Sequence, residues 1–572
     1  MSSHSNAPGV PQTTSGEAAQ KFDIIVLGGG SAGLAAARRA RELGASVALV
    51  EKEVLGGECP NTACVPAKAL LRSAAAIREI RHAKALGIDA GEPQADWQAV
   101  RARVRGITGA DEGDTPTQER LNRQGIAVFR GMGEFTASDR VQVGQHTLAA
   151  PRILLTSGSF DRIPPIEGLE KAGYLTHKDV LELGVLPASI AIIGAGPVGV
   201  EYAQIFAPLG VQVTLLMSGP LPLPREDHDI SRALLECLRH EPNLHIESGV
   251  RVERVEERGG RKVLCVSGAE RPTAPTPSRT GRRRDFEVVA DAVFLATGHA
   301  PSVEGMGLER VGVETNRMGV VADEYLRTTA PNVWAAGDVT GVALFTHIAS
   351  YQGKLAAHNA LLHGDGHRAV EGAPLKADYR VIPRATFCEP EVASIGLTEE
   401  ECRTQDLPYR AAALPLDAIE RSIISSETSG LAKLIVAKDS GEILGAHIIG
   451  ARAGELIHEI APLMQARLPV TAISCTIHAF PTFSEIWESV ALTLTRRPDD
   501  PEVNVHGTSI NEDSELRCIM GNHDEPENEW INEIYEGVVC LFCSERCRAA
   551  FEADPETHLG ETQALVRAPG YS

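Results

Sequence analysis

A short apolar run, FDIIVL at 22–27, leads into Gly28-Gly29-Gly30-Ser31-Ala32-Gly33 and then an Ala-rich stretch ending near Leu43. An all-apolar run of this kind suits a parallel strand buried on both faces. A second run, SVALV at 46–50, ends at Glu51. Strand, glycine turn, helix, strand and acid in this order make one βαβ unit of the dinucleotide-binding kind. Gly28 permits the tight turn, Gly30 lets the backbone approach a pyrophosphate, and Gly33 lets the helix pack close to the strand. The helix N-terminus offers N–H groups and partial positive charge to the phosphates. Glu51, about 20 residues on, is placed to bind a ribose hydroxyl pair. The pattern recurs: SIAII at 189–193, then Gly194-Ala195-Gly196-Pro197-Val198-Gly199, a helix to Leu209, and VQVTLL at 211–216. Two such units imply two nucleotide ligands. The second copy ends in Leu216-Met217-Ser218, with no acid at the ribose position. Lacking a carboxylate to repel a 2′-phosphate, it favours NADPH over NADH, with Arg225 as a candidate phosphate partner.

With 572 residues the chain is too long for one core, and three or four domains are expected. A net charge of −21 argues against non-specific binding to nucleic acid or anionic lipid. No apolar run approaches the length needed to span a bilayer. The first twenty residues are small and polar and lack the apolar core of a signal peptide, so they read as a disordered tail and the expected location is the cytoplasm. Residues 271–284, rich in Pro, Thr and Arg, read as a solvated loop. Residues 375–495 show mixed periodicity, consistent with an α+β domain. Residues 496–514 read as a linker, 515–560 as a small cysteine-bearing module, and 561–572 as a tail.

The 11 cysteines are odd in number and scattered, unlike a secreted disulfide framework. Two clusters stand out. Cys59 and Cys64 lie in GGECPNTACVPAK at 56–68, at the start of a stretch that reads as helix through ALLRSAAAIREI. Helical spacing of five does not align two side chains, so a loop-to-helix transition near Pro60 is needed to bring the sulfurs together. A helix N-terminus lowers a thiol's pKa and favours the reactive thiolate.

Around these residues the chain, over roughly 21–495, resembles the class I pyridine nucleotide–disulfide oxidoreductases, which include dihydrolipoamide dehydrogenase, glutathione reductase and mercuric reductase. GGECPNTACVPAK looks like that family's redox segment. Leu295-Ala296-Thr297-Gly298 resembles its ATG turn, and Trp334-Ala335-Ala336-Gly337-Asp338 its second FAD segment. The resemblance implies an α/β fold: two Rossmann-like dinucleotide-binding domains, an α+β interface domain and the small cysteine-bearing module. The FAD domain would be discontinuous, at 21–160 and 291–360, with the NAD(P)H domain at 161–290. A homodimer would form through 375–495. FAD and NADPH (or NADH) are the implied cofactors. Asp338 would bind the ribityl chain, and Lys68 and Glu201 would pair beside the flavin. Cys64 would be the sulfur near the flavin and Cys59 the outer sulfur that meets substrate. Glu58, Pro60 and Ala63 depart from the commoner family sequences.

In the family's disulfide reductases, a His-Pro near the end of the interface domain supplies an acid–base imidazole, held by a carboxylate five residues later. Here the segment reads Ile477-His478-Ala479-Phe480-Pro481-Thr482-Phe483-Ser484-Glu485. Phe480 stands in the imidazole's place, in a loop expected to complete the partner subunit's site. Phe cannot take or give a proton. Glu485 remains, and His478, two residues earlier, is the candidate substitute. Losing the imidazole penalises thiol–disulfide exchange more than reduction of a soft cation held by two thiolates. Mercuric reductases resemble this chain in lacking that His. The leading expectation is therefore reduction of a thiophilic metal ion, mercuric ion first. A disulfide reductase of the dihydrolipoamide dehydrogenase or glutathione reductase type is the alternative, and a non-enzymatic metal-sensing or buffering protein is the third reading. No adjacent Cys-Cys pair stands at this C-terminus, and no CxxC carrier domain precedes the first nucleotide unit.

Residues 515–560 resemble a small YHS-type (TRASH-like) module, on Cys518-Ile519-Met520-Gly521, Tyr535-Glu536-Gly537, Leu541-Phe542-Cys543-Ser544-Glu545-Arg546-Cys547, Phe551 and Asp554-Pro555-Glu556. The resemblance implies Cys518, Cys543 and Cys547 as ligands of zinc or another thiophilic metal, with Cys540 and His523 as candidate fourth ligands. Such a module would be either a structural zinc fold or a tethered metal donor. The remaining Cys237, Cys265, Cys388, Cys402 and Cys475 are expected to be packing residues.

Overall fold

The computed structural model describes residues 19–269, 283–362, 372–495, 531–535 and 538–542. All but the last two residues of the expected N-terminal tail, the C-terminal tail, nearly all of the 271–284 loop, the linker, and most of the cysteine module, including Cys518, Cys543 and Cys547, lie outside these residues. Within the module an antiparallel pair is described, Ile531–Tyr535 with Val538–Phe542, in which Cys540 stands opposite Glu533. The chain divides into two units. One comprises residues up to 66, 105–162 and 299–378, and the other 67–104, 163–298 and from 379 onward.

In the first unit, Ile24–Leu27 is the central strand of a five-stranded parallel sheet. Its neighbours are Val47–Glu51 on one side and Ile153–Leu155 on the other, with Ile126–Arg130 and Val333–Ala335 at the edges. Ile24, Ile25 and Val26 are wholly buried, as an apolar run covered on both faces must be. Helix Ser31–Glu42 lies against helix Thr346–Leu361, whose Gly353 approaches so closely that a Cβ there would lie 2.2 Å from the Ala32 carbonyl oxygen. A second sheet joins Gly133–Ala137, Arg140–Val143, His146–Ala149 and Gln20–Lys21.

The second unit repeats the architecture. Ser189–Ile193 pairs in parallel with Gln212–Met217 and Ala292–Leu295, and Leu244–Ser248 extends the sheet. Helix Pro197–Phe206 stops three residues short of the expected Leu209. A three-stranded antiparallel sheet, Val250–Arg258, Arg261–Ala269 and Arg283–Ala290, follows. The same unit holds a five-stranded antiparallel sheet in the order Arg384–Thr386, Glu391–Gly396, Ile443–Gly450, Leu431–Ala437, Tyr409–Pro415. Helices Ala453–Gln465 and Glu485–Thr495 cover it, and Trp487, fully buried, donates its indole N–H to the Leu456 carbonyl at 3.0 Å. Mixed periodicity in the sequence is what such a sheet with one helical face produces.

An ion cluster inside this unit is unusual for its burial. Lys433, 4% exposed at its side chain, reaches Asp227 at 2.9 Å, Asp229 at 2.5 Å and Glu399 at 3.3 Å. Burial pushes Asp227 up, but the Lys433 ammonium, His447 and the Glu399 N–H together hold it down at about 2. Burial lowers His447 below the ordinary imidazole value, and its Nε2 donates to the Leu397 carbonyl at 2.9 Å. Four of the five cysteines read as packing residues are half-buried or buried. Burial pushes the Cys237 and Cys402 thiols up to about 11, which keeps them protonated and inert. Cys475 departs from that reading: it follows the short helix Thr471–Ser474 and is exposed.

Candidate redox and nucleotide site

Each glycine turn closes on a backbone carbonyl. Gly28, at φ +116°, leaves no room for a Cβ, which would lie 2.2 Å from the Thr156 carbonyl oxygen. A Cβ on Gly33 would lie 1.8 Å from the Gly28 oxygen. In the second copy Gly194 faces Ala296 at 2.3 Å and Gly199 faces the Gly194 oxygen at 1.9 Å. Gly30 and Gly196 cap their helices with no side-chain hydrogen bond, leaving the N-terminal N–H groups to another acceptor. A Cβ on Gly30 would meet nothing nearer than the Gly57 Cα at 3.9 Å, and one on Gly196 nothing within 4 Å. These open cradles at uncapped helix ends fit two dinucleotide pyrophosphates. Beside the first, a cleft is lined by Gly28, Glu51, Lys52, Gly133, Ser157 and Met306. Glu51 accepts the Gly29 and Glu53 N–H groups, both at 2.6 Å, so its carboxylate is fixed at the strand end. In the second copy Ser218 stands exposed after the strand, and Arg225 is exposed with its carbonyl accepting from Arg384.

Asp338 opens a short 3-10 turn after Gly337 and accepts the Ser159 hydroxyl at 2.7 Å. Burial raises its carboxyl above the ordinary range, and Ser159 and His299 only partly offset this. Cys59 lies in the short helix Glu58–Asn61, and Cys64 opens helix Cys64–His82, so the chain does change element between them. Both thiols are half-buried, and the Cys64 sulfur lies 3.7 Å from the Thr346 hydroxyl. Lys68, one helical turn after Cys64, meets Glu201 through both carboxylate oxygens at 2.9 and 2.8 Å. Glu201, 5% exposed, also accepts the Phe387 N–H at 3.0 Å, and the Lys68 ammonium sits 4.9 Å from the Phe387 ring centre. Nothing in the sequence around Phe387, Thr346 or Ser159 flagged them, because backbone and hydroxyl partners leave no motif.

Phe480, 60% exposed, precedes Pro481 across a cis peptide. Glu485 is buried and accepts the Thr482 N–H at 2.7 Å. His478 is held between two helices rather than presented outward. Its side chain is 5% exposed, with Nε2 2.8 Å from Glu459 and Nδ1 3.4 Å from Glu488. Burial disfavours its charge, but the Glu459 hydrogen bond and both carboxylates raise its pKa above the ordinary value. A pKa raised by folding contributes stability fully below the unfolded value and loses it as pH rises through the folded one. Hydrogen exchange at 476–480 is therefore expected to accelerate beyond its intrinsic pH dependence as the solution turns alkaline. His478→Gln is expected to remove that excess; an identical profile in the variant would show that the imidazole does not hold the loop.

A family model described as pyridine nucleotide-disulphide oxidoreductase matches residues 22–355, and the model of that family's dimerisation domain matches 382–491. The chain belongs to the pyridine nucleotide-disulphide oxidoreductases. It is a flavin-dependent enzyme of that family, for which FAD and NAD(P)H are the expected cofactors. It is 35% identical over 482 residues to the mercuric reductase of Streptomyces lividans, covering 83% of this chain and 96% of that one. It is 32% identical over 486 residues to the dihydrolipoyl dehydrogenase of Chlamydia muridarum, covering 84% and 98%. Among solved structures, the Cu(II) complex of the HOCl-induced flavoprotein disulfide reductase RclA from Escherichia coli matches with a TM-score of 0.69 at 27% identity, covering 83% of this chain and all of that one. Among the described residues, no helix is long and apolar enough to cross a membrane.

Proposed function

We propose that the chain passes electrons from NAD(P)H through FAD and the Cys59/Cys64 pair to a thiophilic metal ion, with mercuric ion first. The observation that carries this reading is Phe480, exposed where the family's disulfide reductases place an imidazole, while His478 is engaged by Glu459 and Glu488. The mercuric reductase relatives support it. When bound, the two cofactors supply the hydride and two-electron chemistry. Gly28, Gly30, Gly33, Glu51 and Asp338 would hold FAD, and Gly194, Gly196 and Gly199 the nicotinamide dinucleotide. The Lys68–Glu201 pair would orient charge where it develops. Cys59 and Cys64 would hold the ion as thiolates. Two electrons convert Hg(II) to Hg(0) and the hydride's proton leaves to solvent, so neither sulfur needs a proton from a neighbouring acid. Disulfide reduction needs that proton, and Phe480 has none to give.

The dimerisation-domain match supports a homodimer, in which Phe480 and Glu485 would complete the partner's site. Cys518, Cys543 and Cys547, with Cys540, would bind a metal ion and serve either structure or delivery to Cys59. The dihydrolipoyl dehydrogenase relatives keep disulfide reduction as the second reading.

The test is NADPH oxidation by the purified flavoprotein with excess small thiol, offered Hg(II), oxidised lipoamide or glutathione disulfide. Sustained turnover with the metal alone, lost in Cys59→Ser, is the expected result; turnover on a disulfide instead would overturn the assignment. The glycine assignments have their own check. Gly33→Ala is expected to give protein depleted of flavin, whereas Gly199→Ala should retain flavin and show a raised KM for the nicotinamide cofactor. The reverse pattern would exchange the two sites.

A further inference from the structure

We propose that Gln204 is a positioning residue for the Lys68–Glu201 pair, acting through the backbone of Phe387-Cys388-Glu389 and held in turn by Arg78; this rests on the reading that sets the pair beside the flavin. All of these residues belong to the second unit. Glu201 and Gln204 stand three positions apart on helix Pro197–Phe206, so they share one helix face. Glu201 accepts the Phe387 N–H at 3.0 Å. Gln204 takes both backbone groups of Glu389, two residues on. Its Oε1 accepts the Glu389 N–H at 2.7 Å, and its Nε2 donates to the Glu389 carbonyl at 2.8 Å. A flipped amide would set donor against donor and acceptor against acceptor, so only one orientation fits. Gln204 is 1% exposed, so removing its amide would strand two backbone groups away from water. Arg78 lies ten residues after Lys68 on the same helix. It donates to the Gln204 carbonyl at 2.8 Å, to Glu241 at 2.9 Å and to the Glu389 carboxylate at 3.3 Å. Two rungs therefore cross the same three elements, Lys68–Glu201–Phe387 and Arg78–Gln204–Glu389. The Lys68 ammonium is set by the Glu201 carboxylate and the Phe387 ring, and the Gln204 clamp sets where the Phe387 N–H meets Glu201. Without the clamp, 387–389 is free to slide along the helix, carrying the carboxylate and the ammonium with it. Displacing a preorganised group by about 1 Å can cost about 10²-fold in rate, and a smaller shift costs less.

The experiment is a double-mutant cycle on the FAD-loaded full chain, with Gln204→Met, Lys68→Met and the double variant. Rapid mixing follows flavin bleaching by saturating NADPH or NADH, whichever reduces the parent faster. Methionine keeps the length of glutamine and removes both hydrogen bonds. The expected result is bleaching slowed about fivefold by Gln204→Met in the parent background, and unchanged by it once Lys68 is already methionine, because residues that act through one another are not additive. A purely structural role would slow both backgrounds by the same factor, and that result overturns the proposal. Gln204→Glu, which keeps the acceptor for the Glu389 N–H and loses the donor, takes the place of Gln204→Met should that variant fail to fold, with retained flavin absorbance as the criterion. Slow bleaching in Lys68→Met beside a parental rate in the Gln204 variant overturns this inference alone. A parental rate in Lys68→Met overturns the placement of the pair beside the flavin, and this inference with it.

Discussion

Lys433→Met is expected to destabilise the protein by about 3–5 kcal/mol, the cost of breaking a buried ion pair by removing one partner. The methionine fills much of the lysine's volume, so the loss would be electrostatic rather than a cavity effect. Asp227, at 2% side-chain exposure, and Asp229 and Glu399, at 20% and 23%, would be left without their shared cation. Denaturant unfolding followed by fluorescence measures the change; a loss below about 1 kcal/mol would mean that water already screens the cluster. The same cluster fixes an acid limit. Asp227 is depressed by folding to about 2 from 3.8, so its contribution is complete above the unfolded value and is lost as pH falls through the folded one. A shift of that size corresponds to about 2 kcal/mol. The destabilisation caused by Lys433→Met should accordingly shrink as pH falls, because protonating the carboxylates removes the attraction in the parent and the unpaired buried charge in the variant.

Lys68→Met is expected to slow reduction of the bound flavin by NAD(P)H about 10²-fold, the usual penalty for removing one preorganised charged donor. Glu201 would keep its hydrogen bond from the Phe387 N–H but lose both contacts to the ammonium. Rapid-mixing measurement of flavin bleaching isolates this step from whatever the cysteines do afterwards. Lys68→Arg is not expected to restore the rate, because a planar guanidinium cannot reproduce an ammonium wedged between a carboxylate and the Phe387 ring. Undiminished bleaching in Lys68→Met would remove the pair from the redox step and leave it a structural tie.

The parts legible in the sequence are those that a local pattern encodes. Ile24–Leu27 followed by Gly28, Gly30 and Gly33 dictated strand, turn and helix, because a Cβ at Gly28 or Gly33 collides with a carbonyl. The pairing of Lys68 with Glu201 came only through resemblance, since the two are 133 positions apart and no periodicity joins them. His478 was harder. Its position two residues before Phe480 made it the candidate substitute, and only the packing of helices Ala453–Gln465 and Glu485–Thr495 shows that Glu459 and Glu488 engage its ring. Cys475 was misread as packing for the same reason: the exposure of a loop residue is decided by elements that lie elsewhere in the chain.

The glycine turns at 28–33 and 194–199, proposed above as cofactor cradles, contain no cysteine or methionine of their own. An oxidant or thiophilic ion in excess would attack Cys59, Cys64 or exposed Cys475 and find nothing to attack in the turns at 28–33 and 194–199. Poisoned enzyme should therefore stay yellow and loaded. Its recovery would need only a thiol to strip the sulfurs, with no fresh synthesis and no reloading of flavin, a useful property under the proposed function, in which the ion reduced is also the poison.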